Sequence, residues 1–279
     1  MKKWAKRLGF LFLILLALVG LSHIFGGPTS PFGTALGVLE INGTIWVADD
    51  WLEQIEDFRK NPAIRGVVVR INSPGGTVAA SQEIFENLKR LSKIKPVVAS
   101  MGTLAASGGL YVALGANRIF ADAGTITGSI GVRMQHLDIG ELLKFFKIEY
   151  ETIKSGTFKD LGSLTRPLTA SELAILEGLM SEIHDQFKVA VSEQRGLKMN
   201  VVDQIADGRI FSGAKAKELG LVDELGDLGI AIAWVATQAG IKGEPELVYG
   251  EKRSAWWMRS LFGSAKALLS GPQICYSYP

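Results

Sequence analysis

The sequence predicts an α/β fold, a superhelix of strand–turn–helix units behind one N-terminal membrane-spanning segment. Two observations carry this expectation. Short β-branched strands run repeatedly into glycine-rich turns and then into helical patterns, which is the signature of βα crossovers with the turns stacked along one edge. Ahead of them lies an apolar run at residues 8–25 whose only polar members, Ser22 and His23, fall near its end. That run has roughly the ~17 residues a spanning helix needs.

Taken in order, residues 1–7 form a basic arm with Lys2, Lys3, Lys6 and Arg7. No acid occurs before Glu40, so the positive-inside rule leaves this arm in the cytoplasm and sends the rest of the chain across. A cleaved secretion signal is the competing reading. Small residues at the required spacing are not evident around 22–28, and no lipobox cysteine follows, which favours a retained anchor. Residues 26–34 are rich in glycine and proline and read as a linker. Residues 35–250 are expected to form the globular domain, and 251–279 a tail.

Within the domain, residues 36–47 read as one or two strands around Asn42-Gly43, and 51–60 as a helix with Trp51, Ile55 and Phe58 on one face. Residues 66–72 form an unbroken β-branched strand, expected to be buried on both faces. It enters the turn Ser73-Pro74-Gly75-Gly76 and a helix over 78–94. The next strand, 96–100, leads to a turn at Ser107 and a helix through Ala116. A third round follows, with a strand at 118–121 and the turn 124–131. Further on, 170–194 reads as a long helix. In the tail, 254–270 has apolar residues at helical spacing through Trp257, Leu261, Ala265 and Leu268, a candidate amphipathic helix for a neighbour or a membrane surface.

Composition removes several function classes. The chain of 279 residues has 30 basic and 28 acidic side chains and a mean hydropathy of +0.21. Setting aside the four basic residues of the arm leaves 26 against 28, about −2, and nothing suggests a nucleic-acid partner. Cys275 is the single cysteine, so an intrachain disulfide and a multi-cysteine zinc site are both excluded. The glycine turns match neither the dinucleotide fingerprint nor the phosphate loop, and no cofactor is expected.

Chemistry concentrates at Ser107, set between Ala105-Ala106 and Gly108-Gly109 at a strand-to-helix junction. Small neighbours let another backbone approach the hydroxyl closely, and free N–H groups there would face an anion. A plain packing turn would use the same residues.

The residues go further as a set. Asn72-Ser73-Pro74-Gly75-Gly76, then Met101-Gly102 and Ala105-Ala106-Ser107-Gly108-Gly109 with Tyr111, then Thr127-Gly128-Ser129-Ile130-Gly131-Val132 and Lys154-Ser155-Gly156-Thr157-Phe158-Lys159, resemble the bacterial signal peptide peptidase A family of membrane serine proteases. Asp207-Gly208-Arg209 and Gly220-Leu221-Val222-Asp223-Glu224-Leu225-Gly226 extend the resemblance, which spans about 36–249. It implies a Clp-protease/crotonase-like fold, a short chain with one catalytic unit, assembly into a homo-oligomer, and peptide substrates such as signal peptide remnants. Carried over residue by residue, Ser107 resembles the nucleophile and Lys159 its general base. Ser129 resembles the serine that hydrogen-bonds the lysine amine, and Gly76 and Gly108 resemble the oxyanion donors. Leu110 departs from the aromatic common after the glycine pair, and Leu164 from the proline often found ahead of Arg166.

A lysine base must be neutral, which requires desolvation and no carboxylate partner. Asp160 adjoins Lys159, but neighbours in an extended segment point to opposite faces. His136, 29 residues after Ser107, is the rival base, without a recognisable triad context. The sequence thus predicts a membrane-anchored serine endopeptidase with its catalytic domain outside the cytoplasm. The alternatives are a protease of the same fold of the stomatin-associated type and a catalytically silent scaffold.

Overall fold

The computed structural model describes residues 34–250 and 274–277. The anchor at 8–25, the linker through Gly33 and the tail helix at 254–270 lie outside the described residues. Among the described residues no helix is long and apolar enough to cross a membrane.

The fold is mixed α/β. Parallel pairs join β10 (Glu246–Tyr249), β1 (Ala35–Asn42), β2 (Ile64–Ser73), β4 (Val97–Ala106), β5 (Arg118–Ala121) and β9 (Glu224–Leu225) in that spatial order. Parallel neighbours require crossovers, and helices supply them. On one face lie α1 (Asp49–Lys60), α2 (Val78–Leu91) and α3 (Gly108–Ala113), with Phe58, Ile84, Leu88 and Tyr111 in one core. On the other lies α8 (Leu228–Gln238), whose Ala231 and Val235 pack on Leu36, Val68, Val98 and Phe120. The run Val67-Val68-Val69 divides between these two cores, Val67 and Val69 to one and Val68 to the other. Burial on both faces is why the strand reads as continuously apolar.

Two strand boundaries differ from expectation, and both shape the site. β4 extends six residues past Ser100, and its halves have different neighbours: Val98–Met101 pair with β5, Leu104–Ala106 with β6 (Ile126–Gly128). Thus the turn expected over 124–131 contains a strand, which also pairs antiparallel with β8 (Ile210–Ser212). β1 ends at Asn42, and Ile45 then forms a single bridge to Gly76 of β3 (Gly75–Thr77). β3 belongs to a second sheet, in the order β3, β11 (Ile274–Ser277), β7 (Arg133–Met134).

Beyond β7 come α4 (Gly140–Phe145) and then α5 (Ala170–Arg195), which matches the long helix expected from the sequence. Thr169 caps α5, accepting from the Glu172 amide while the Glu172 carboxylate accepts from the Thr169 amide, and Gly196 ends it in the left-handed region. Then α6 (Met199–Ile205) and, after β8, α7 (Gly213–Glu218) return the chain to the sheet edge.

Candidate active site

β4 and β6 run in register, Ala105 opposite Thr127 and Ala106 opposite Gly128, so each strand delivers a serine at its end. Ser107 and Ser129 both have positive φ, 54° and 52°, and sparsely populated backbone conformations of this kind cost a side-chain-bearing residue about 1–3 kcal/mol. Hydrogen bonds hold both turns: the Ser107 amide donates to Gly128 O at 2.8 Å and the Ser129 amide to Arg209 O at 2.8 Å. Thr127 Oγ1 donates to Ala105 O at 2.7 Å, tying the two strands together.

Around Ser107 the backbones come too close for side chains. A Cβ on Gly108 would lie 2.5 Å from Ser81 Oγ and 3.1 Å from Gly76 N. On Gly76 it would lie 1.9 Å from Ile45 O. The structure therefore places Ser107, Gly108 and Gly76 close together, with Ser129 at the end of the adjoining strand.

Ser107 is 1% exposed, and its Oγ has no hydrogen-bond partner among the described residues. A buried hydroxyl left unpaired costs about 1–3 kcal/mol, so it calls for a functional account. Lys159 does not supply the partner within one chain. It is exposed, in a turn whose amide donates to Gly156 O at 3.1 Å.

The segment carrying Lys159 exposes apolar side chains to an unusual degree, with Phe145 79%, Tyr150 63% and Ile153 95% exposed. Ion pairs fix its far end. Arg166 forks onto Glu172, with Nη1 and Nη2 donating at 2.8 and 2.6 Å, and also pairs with Asp160 at 2.9 Å. Lys154 takes the other Asp160 oxygen and donates to Thr157 O at 3.1 Å. Hydrogen bonds from Lys154 first and Arg166 second hold the Asp160 carboxyl below its usual range. The Arg166 fork, reinforced by the Thr169 amide, does the same to Glu172 more strongly. Both Asp160 oxygens are thereby committed away from the neighbouring Lys159. Sequence reasoning missed this network, although the Thr169-to-Glu172 capping spacing was there to be read.

His136 has both ring nitrogens buried and without a hydrogen-bond partner among the described residues, so neither is bonded to Ser107. His184 sits on α5, and His23 lies outside the described residues. Among the described residues no group of three or more His, Cys, Asp or Glu is placed to hold a metal ion.

The model of peptidase family S49 matches residues 89–242, and that of Clp protease matches 40–126. A homologue from Synechocystis sp. is 46% identical over 190 residues, 68% of this chain and 67% of that protein. The chloroplastic serine protease SPPA of Arabidopsis thaliana is 34% identical over 74% of this chain, which spans 30% of that protein. Protease 4 of Salmonella typhi is 33% identical over 79% of this chain and 36% of its own length. Among solved structures, a ClpP1 mutant from Listeria monocytogenes covers 68% of the chain with a TM-score of 0.47 and 19% identity.

Proposed function

The chain belongs to peptidase family S49, and on that premise we propose that it is a membrane-anchored serine endopeptidase with a Ser107/Lys159 dyad. Its substrates are remnant signal peptides and other membrane-associated peptides. The observation that carries this reading is the buried Ser107 hydroxyl, without a partner among the described residues, set in a strained turn against glycine backbones.

Ser107 Oγ attacks the scissile carbonyl carbon, and its proton passes to the neutral Lys159 amine. The carbonyl oxygen, now negative, is held by the N–H groups of Gly76 and Gly108. Collapse of the tetrahedral intermediate expels the amine product, which takes the proton from Lys159. Water, deprotonated by the Lys159 amine, then attacks the acyl-enzyme, and Lys159 returns that proton to Ser107 Oγ as the acid product leaves. The Ser129 hydroxyl orients the amine. No metal or organic cofactor takes part.

Lys159 reaches Ser107 from another copy of the chain. Three features support this: the exposed lysine, the apolar surface of its segment, and a nucleophile without a partner among the described residues. Assembly would bury Phe145, Tyr150 and Ile153 while completing the site. The apolar run 8–25 tethers the domain, the cytoplasmic arm 1–7 fixes its orientation, and the catalytic domain faces away from the cytoplasm.

A fluorophosphonate probe and a mixing experiment test this. The probe should label wild type and not Ser107→Ala. Mixing inactive Ser107→Ala with inactive Lys159→Ala subunits should restore peptide cleavage. Absence of labelling would reject the serine hydrolase, and failure of mixing to restore activity would place the base in the nucleophile's own chain.

A further inference from the structure

The parallel register brings the first residues of several strands to one edge of the sheet. Ala35 lies opposite Ile64 and Glu246, Val67 opposite Val97, and Val98 opposite Arg118. The segments leading into β2 and β4 therefore meet at that edge, and hydrogen bonds hold them together. Lys95 Nζ donates to Phe58 O at 2.6 Å and to Asn61 O at 2.7 Å, and Val67 N donates to Pro96 O at 2.9 Å. Burial first, then the nearby charges of Arg59 and Arg65, push the Lys95 ammonium below its usual range. Lys93 adds a fourth cation in the turn after α2. Of these four, only Arg59 has a carboxylate partner among the described residues, Glu56, which it shares with Lys60. Between Lys93 and Lys95, Ile94 is 61% exposed. Cations held side by side repel, and an anionic partner relieves the repulsion. An exposed isoleucine between two lysines fits a surface that is charged outside and apolar beneath.

We propose that this edge docks on an anionic phospholipid bilayer, with headgroup phosphates against Arg59, Arg65, Lys93 and Lys95 and with Ile94 entering the apolar layer beneath them. The inference rests on the anchor of the proposed function for the nearness of a bilayer, and is independent of the serine chemistry. The chain reaches β1 at this same edge. Eight residues, 26–33, separate the apolar run at 8–25 from Thr34, and even fully extended they reach at most about 29 Å. Glu244 and Glu246 stand on the β10 side of the edge, so the contact is confined to the loops before β2 and β4. Ser107 follows the far end of β4, a strand of 10 residues, and so lies about 30 Å from Val97. Docking by this edge holds the nucleophile that far above the lipid, and peptides must leave the bilayer before they are cut.

Lysine footprinting on the full chain tests the surface without using activity. The chain is placed in vesicles of phosphatidylcholine alone, or of phosphatidylcholine and phosphatidylglycerol in equal parts. It is then acetylated with a membrane-impermeant ester and read by mass spectrometry. Lys93 should react about tenfold more slowly on the anionic vesicles, measured against Lys215, which lies beside Ala123 at the opposite end of β5. Raising the salt to ~1 M, where the Debye length falls to about 3 Å, should abolish the difference. Arg65→Glu should remove most of the protection and Ile94→Ser should weaken it, with both variants melting as wild type because both side chains are exposed. Equal reactivity of Lys93 on the two kinds of vesicle would overturn the proposal. So would protection that Ile94→Ser leaves unchanged, since a polyanion with no apolar layer would give the same. A footprint with no fluorophosphonate labelling of Ser107 would keep the surface and reject the hydrolase, and labelling with no footprint would do the reverse. A chain that floats with anionic vesicles but not with phosphatidylcholine would keep the surface and reject the anchor.

Discussion

Gly76→Ala is the most discriminating single substitution, because one methyl group tests both the packing of β3 and the oxyanion assignment. The added Cβ would lie 1.9 Å from the carbonyl oxygen of Ile45, against about 3.4 Å for ordinary contact, so the two backbones must part by about 1.5 Å. That movement breaks the 2.9 Å bond from Ile45 N to Gly75 O and the 2.8 Å bond from Thr77 N to Ile45 O. Each is worth about 1 kcal/mol net, and leaving fully buried Ile45 unsatisfied adds to the loss, so ~2–4 kcal/mol is expected. For a domain of this size that lowers Tm by about 5–15 °C. Shifting the Gly76 N–H by an ångström or more should also cut peptide cleavage by about 10²–10³. The assays are thermal denaturation and initial cleavage rate well below the lower Tm, with Gly124→Ala as control because a Cβ there meets nothing within 4 Å. An unchanged Tm would refute the Ile45 contact. A lowered Tm with full activity per folded molecule would keep the contact and remove Gly76 from the oxyanion hole.

Lys159→Ala should lower cleavage by about 10³-fold or more with Tm unchanged, and Lys159→Arg should fail too, since a guanidinium keeps its proton. His136→Ala should stay within a few-fold of wild type in the same assay, and the opposite ranking would make the histidine the base. Arg166→Ala should lower both Tm and activity by freeing the Glu172 and Asp160 carboxylates, with Arg166→Lys restoring only part because a lysine cannot fork. The folded-state pKa values of Asp160 and Glu172 are depressed, so their contribution to stability is complete above the ordinary carboxylate range, about pH 4, and is lost as pH falls below it. Limited proteolysis within residues 154–172 should therefore accelerate between about pH 4 and pH 2, and cleavage no faster at the lower pH would refute the ion-pair account.

What the sequence determined by itself is local. The unbroken Val67-Val68-Val69 run announced a strand covered on both faces, and the structure divides those residues between two cores. Small residues around Ser107 announced a close backbone approach, and the missing Cβ of Gly108 measures it. The strand inside the turn at 124–131 was hidden, because three residues carry no period and their partners are the last three of β4. Equally hidden was the fit of Ile45 against Gly76 of β3, which joins residues 31 positions apart. Nor does any pattern in Ile274–Ser277 reveal that it lies between Gly76 and Arg133, since strand pairing is made by backbone groups that every residue carries alike. Turns and caps follow from the residues that form them. Which edges meet follows from how the strands and helices close on one another, and that closure decides that Ser107 is buried, flanked by glycine backbones, and without a partner for its hydroxyl among the described residues.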